Sequence, residues 1–445
     1  MENQKQIHDY IQSHKKEIVD LLKELISIPS VAVKGTSEAP YGKDCAQAMD
    51  FVNELYQKNG FATELDHKGG YLLSYFGEGE KSIGIFAHAD VVPAGDDWIY
   101  TKPFEPLEKD GCIIGRGSSD DKSGIIISLF AAKAIKELNL PFNSRLVLFA
   151  GCNEETGMDD IENYLAAHKP PDYSIVADSD FPLFRGDKGI LRFMATSEIA
   201  LKEISDFNGG SAFNIILGEV TAKYKDQIFV EKGLSKHGAY PEGSVNAAYL
   251  MAKKLSQLSE LDESDKKQML FVEKILEKYY GEVYSVENID PDFGRLTITT
   301  GIARTISGRL SLSFDMRYGA CVDIDDTKRK IAQFFSENNW TVEFEPESKP
   351  AVTEENHPFV QTCLGVYQGF TGDTEARAQV NAGATYAKHL PCAVEIGLSL
   401  DNSRKFDLPI GHGDIHQPDE YINIKGLLDA IELVTLMLIE TDKNT

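Results

Sequence analysis

Five short segments of this 445-residue chain place acidic or histidine side chains at the ends of apolar runs. They are His88-Ala89-Asp90, Gly115-Arg116-Gly117-Ser118-Ser119-Asp120-Asp121-Lys122, Asn153-Glu154-Glu155-Thr156-Gly157, Ala177-Asp178-Ser179-Asp180 and Ile415-His416-Gln417-Pro418-Asp419-Glu420. Imidazole nitrogens and carboxylate oxygens ligate divalent cations, and two histidines with three carboxylates suit a pair of such ions holding a hydrolytic water. His88, Asp120, Glu155, Asp178 and His416 make up that set, with Asp120 as the carboxylate shared between the ions. Neighbouring side chains point in different directions, so Glu155 can hold an ion while Glu154 faces the water as general base. Partial burial and a nearby like charge raise a carboxyl's pKa, which suits it to that task. His88 and Asp90 stand two apart in a strand and share a face, so the carboxylate can orient the imidazole. Ligands of nitrogen and oxygen without thiolate suit zinc, with manganese and cobalt as alternatives.

Each segment alone also has a plainer reading. Asp120 or Asp121 can cap a helix, His88-Ala89-Asp90 can end a surface strand, and the Glu154-Glu155 pair can lie exposed in a loop. His412 reads as a loop residue, and histidines 8, 14, 67, 168, 357 and 389 read as solvated.

The elements that must position these groups are legible as patterns. Residues 82–87, 145–150, 173–176 and 392–398 are short apolar runs without alternation, as expected of strands buried on both faces. A helical pattern spans 124–138, and Ile7, Ile11, Ile18, Leu21, Leu22 and Leu25 suggest one N-terminal helix that Pro29 stops. Strands alternating with helices predict an α/β layer architecture, with ligands where the strands end. Beyond about residue 186 the texture changes. Alternating runs at 296–300 and 310–314 predict half-buried antiparallel strands, with helices near 245–258 and 326–337. The polar stretch 262–267 reads as a surface elaboration, and α/β texture returns after about 349, with a last helix near 424–439. We therefore expect a mixed-sheet α/β/α catalytic domain from residues 1–186 and 350–445, interrupted by an α+β lid domain at 187–349.

Bulk composition narrows the partners. Seventy acidic against 45 basic residues give a formal charge of -25, which argues against nucleic acid or an anionic membrane. Six scattered cysteines without a C-x-x-C pair suit free thiols in a reducing compartment. A polar N-terminus, with no run near the roughly 20 apolar residues that span a bilayer, points to the cytoplasm.

Taken together, His88-Ala89-Asp90-Val91-Val92-Pro93-Ala94-Gly95, Gly115 to Lys122, Asn153 to Gly157 and the late Ile415-His416-Gln417 resemble the co-catalytic two-metal metallopeptidases. That family includes glutamate carboxypeptidase, aminoacylase, succinyl-diaminopimelate desuccinylase and bacterial dipeptidases. The loop Pro93 to Trp98, Asp180-Phe181-Pro182 leading to Gly186-Asp187-Lys188-Gly189, and the insert around 260–294 resemble its PepV-type dipeptidases. The resemblance implies the same five ligands, Glu154 as base, and a metal-dependent dipeptidase acting on small peptides as a monomer or homodimer. An N-acyl or N-succinyl amino acid amidohydrolase is the alternative. It also implies that His237 stabilises the oxyanion, and that Asn214, Arg317 and Gly383 meet the substrate's carbonyl and carboxylate. Ser123 stands where many relatives have Gly, and the Asn214 segment lacks the usual Pro after its apolar pair.

Overall fold

The non-alternating apolar runs become the centre of a mixed sheet. In the computed structural model, which describes residues 3–444, Ser82–His88 runs parallel to Arg145–Gly151 on one side and to Tyr173–Ser179 on the other. Ala393–Gly397 continues the parallel order beside Tyr173–Ser179. Antiparallel strands flank this core: Tyr71–Phe76 and then Ala62–Asp66 at one side, Phe184–Asp187 at the other.

Successive strand residues serve opposite faces. Ile83, Ile85 and Ala87 join one core with the helices Lys122–Glu137 and Ile424–Lys443, whereas Phe86 joins Phe149, Tyr164 and Tyr386 in another. Both faces are thus covered, which explains why these strands show no polar alternation and why an α/β reading holds. Lys122–Glu137 is buried from Lys122 to Ile135 and carries residues from the ligand-rich turn before it into the core.

The N-terminal pattern folds as two helices, Gln4–Ser13 and Lys15–Ile26, and not as one. His14 leaves helical geometry (φ -97°, ψ 3°) while its Nδ1 lies 2.8 Å from the Tyr10 carbonyl oxygen, so its ring competes for a helix acceptor.

The chain divides into two compact units: Met1–Gly186 with Val352–Gln379 and Ala384–Thr445, and Asp187–Ala351 with Val380–Gly383. The second has an antiparallel sheet centred on Arg309–Tyr318, which pairs with Gly189–Ser197, Ala303–Ile306 and Thr297–Thr299. Gly189–Ser197 alternates buried and half-buried along its length, the pattern of a sheet packed mainly on one face. Helices Ala247–Ser256, Glu263–Leu276 and Ile324–Ser336 supply Met251, Met269 and Phe335 to a core with Phe193, Phe314 and Trp340. The stretch 262–267 is no mere elaboration. Asp262 caps Glu263–Leu276 through the Ser264 N–H, and the buried Asp265 carboxylate accepts the N–H groups of Lys202, Glu203 and Ile204. Among the described residues no helix is long and apolar enough to cross a membrane, and the six cysteines are free thiols.

Candidate metal centre

His88 closes its strand with a fully buried imidazole. Its Nδ1 lies 2.9 Å from the Asp90 carbonyl oxygen and 3.3 Å from the Asp90 carboxylate, so backbone and side chain both face that nitrogen. The opposite nitrogen, Nε2, faces Asp120 Oδ1 at 3.1 Å and Asp178 Oδ2 at 3.7 Å. Asp178 stands near the end of its own strand, Tyr173–Ser179, two positions along the sheet from Arg145–Gly151. The Asp90 carboxylate also accepts the N–H groups of Glu154 (3.2 Å) and Glu155 (3.1 Å), tying the glutamate turn to the histidine strand.

Asp120 sits between the two histidines. While Oδ1 faces His88, Oδ2 lies 2.9 Å from His416 Nε2, and that nitrogen is 3.2 Å from Glu155 Oε1. The ligand atoms of His88, Asp120 and Glu155 all fall within 4.8 Å of one another, as do those of His88, Glu154 and Asp178. His88, Asp120, Glu154, Glu155, Asp178 and His416 are therefore one cluster, drawn from five places in the chain. Gly117 turns the chain into Asp120 at φ +87°, and a Cβ there would come within 2.9 Å of both Lys122 and Val91 side chains.

Electrostatics distinguish the members. Burial opposes charge on His88, but Asp178, Asp120 and Asp90 outweigh it and hold its pKa well above the usual imidazole value. Asp120 and Glu155 likewise overcome burial at His416 and push it up to about 11. Glu154 is raised well above an ordinary glutamate by burial and then by Asp178, and burial together with Asp120 pushes Glu155 up to about 7. Burial also opposes charge on Asp120, yet His416 and His88 keep its carboxyl below the carboxylate range. The strongest charge partners of these carboxylates and imidazoles are one another, and together they bring more acidic than basic groups to one buried place. Divalent cations fit this donor set, whose imidazole and carboxylate ligands must give up their protons to bind them.

The four remaining predicted residues lie in the second unit, in two pairs. Asn214 Nδ2 is 3.5 Å from His237 Nε2, while the Ala239 N–H donates to His237 Nδ1 at 3.3 Å. Arg317 is almost fully buried: its Nε and Nη2 hold Asp315 at 2.5 and 3.1 Å, and Nη1 donates to the Ala382 carbonyl, next to Gly383. Gly383 N–H donates to Asn381 Oδ1 at 2.8 Å.

Asp160 escaped the sequence reading, and Asp121 and several histidines make contacts that it did not give. Asp121 stands at the N-cap position of Lys122–Glu137 without capping it; its Oδ2 accepts the His88 N–H at 2.9 Å instead. Asp160 accepts the N–H groups of Cys152 and Asn153 and the Tyr386 hydroxyl, fixing the start of the glutamate turn. His412 lies in a loop, as expected, and pairs with Asp419 at 2.8 Å, while the solvent-accessible His8, His67 and His168 also face carboxylates, Glu432, Asp50 and Glu64. Pairings such as His8 with Glu432 and Tyr386 with Asp160, 424 and 226 residues apart, carry no local signal.

A mixed α/β sheet with this donor cluster at its strand ends defines a metallohydrolase. More particularly, the chain belongs to peptidase family M20/M25/M40, whose model matches residues 84–440. It is 28% identical over 467 residues to a Staphylococcus epidermidis protein whose name proposes a dipeptidase, covering 95% of this chain and 96% of that one. Human carnosine dipeptidase 1 shares the fold at a TM-score of 0.62 and 15% identity, over 100% of this chain and 99% of that one. A di-peptidase of Saccharomyces cerevisiae does so at 0.63 and 14%, over 99% and 98%.

Proposed function

We propose that this peptidase is a two-metal dipeptidase, with one cation held by His88, Asp120 and Asp178 and the other by Asp120, Glu155 and His416. The observation that carries this reading is the placement of Asp120, with its two oxygens 3.1 and 2.9 Å from the Nε2 atoms of His88 and His416. Zinc suits the donors best, with manganese or cobalt as substitutes. When bound, such cations polarise the scissile carbonyl and acidify water. Glu154 takes the proton of the attacking water and delivers it to the leaving amine; burial and Asp178 raise its proton affinity for that work. Asp90 orients His88 and anchors the glutamate turn. His237 donates to the developing oxyanion. Arg317, held by Asp315, and the turn at Gly383 receive the substrate carboxylate, with Asn214 on the carbonyl. The six free thiols support a cytoplasmic setting.

Glu154→Gln tests the mechanism. Turnover should fall by at least about a hundredfold, while calorimetry still counts two bound cations. A variant that hydrolyses at the parental rate removes Glu154 as the base.

A further inference from the structure

Glu420 follows His416 by four residues, in a stretch with neither helix nor strand until Tyr421–Asn423. Its side chain is completely buried. One oxygen, Oε1, accepts three backbone N–H groups: Gly117 at 3.1 Å, Ser119 at 2.8 Å and Asp120 at 3.1 Å. The other, Oε2, takes Arg116 Nη1 at 2.5 Å, and that guanidinium is itself 1% exposed. The Glu420 carbonyl accepts the Gly115 N–H, and Tyr421–Asn423 pairs antiparallel with Cys112–Ile114.

All these donors belong to the turn that presents Asp120, including the N–H of Asp120 itself. The acceptor belongs to the segment that presents His416. One carboxylate therefore joins two stretches 300 residues apart in the chain, at the point where Asp120 Oδ2 meets His416 Nε2. His416 needs such a tether: its side chain is 49% exposed and its backbone sits at φ 63°, so its own packing does little to hold it. His88, by contrast, is locked inside the sheet.

Resting on the two-metal reading above, we infer that Glu420 is a positioning residue that sets Asp120 and His416 in one frame. Its loss then weakens the cation site of Asp120, Glu155 and His416 ahead of the site of His88, Asp120 and Asp178. An ordinary buried ion pair would have no such preference. Glu420→Gln keeps the size but turns an amide NH2 toward either Arg116 or the three backbone donors.

The test titrates metal-free full-length protein with cobalt(II) chloride, reading stoichiometry and affinity by calorimetry, the visible cobalt spectrum, and Tm without metal. Parental protein should bind two ions. E420Q should keep one near parental affinity and bind the second at least about tenfold more weakly. R116Q keeps the Glu420 carboxylate on its three N–H groups, so it should lose Tm yet retain both ions. If E420Q does not fold, E420D carries the same expectation, because its carboxylate stops short of the turn. Two ions bound to the Glu420 variant as tightly as to the parent overturn the inference, as does metal loss that tracks Tm in both variants. A parent that binds fewer than two ions overturns the two-metal reading and the inference with it.

Discussion

Asp120 shows how much chemistry one side chain can concentrate. Its two oxygens face two histidines that reach it from a buried strand and from an exposed loop. In the metal-free cluster His416 is pushed up to about 11 and Glu155 to about 7, so both bind protons that a cation must displace. Lower pH fills those positions with protons and higher pH frees them. Cation affinity should therefore rise with pH through neutrality, with net proton release on binding. Calorimetry in buffers of different ionisation enthalpy reads that release; affinity independent of pH between about 6 and about 8 would contradict it. The candidate ligands were legible because polar residues at the ends of apolar runs are conspicuous. Asp121 was not: adjacent acids look alike in sequence, and only the fold decides that one faces His416 while the other takes the His88 N–H.

At the scale of elements, strands deliver His88 and Asp178, turns and a loop deliver Asp120, Glu155 and His416, and an aromatic layer supports the glutamate turn. Phe86 and Phe149 stack with centroids 5.1 Å apart, Tyr386 meets Phe149 edge-on, and its hydroxyl reaches Asp160 at 2.6 Å. Asp160 in turn holds Cys152 and Asn153, immediately before Glu154. Tyr386→Phe removes that hydroxyl while keeping the ring. It should cost about 1–3 kcal/mol in urea unfolding and lower kcat by loosening the glutamate turn. Parental stability and turnover in this variant would show that the support is dispensable. Strand runs and the helix at Lys122–Glu137 could be read because continuous apolar composition marks double-sided burial. The break at His14 could not, since it depends on where one ring turns.

In the molecule as a whole, each unit has a hydrophobic core of its own, the largest packed on the helices of the mixed sheet in one and on the antiparallel sheet in the other. All six members of the metal-ligand and base cluster belong to the first unit. Phe335→Ala, deep in the second core, should cost about 3–5 kcal/mol there and leave cation stoichiometry unchanged. Loss of metal in that variant would contradict the assignment of the centre to one unit. Asp265 marks what composition hides at this scale: an acid in a polar stretch proved to be a buried anchor for three backbone N–H groups.

The most direct measurement is hydrolysis of a small panel by protein reconstituted with zinc, manganese or cobalt: Ala-Ala, β-Ala-His, a tripeptide, an N-acetyl amino acid and N-succinyl-diaminopimelate. The account predicts cleavage of dipeptides alone, abolished by a chelator and restored by metal. Cleavage of the acyl substrates with dipeptides left intact would contradict it.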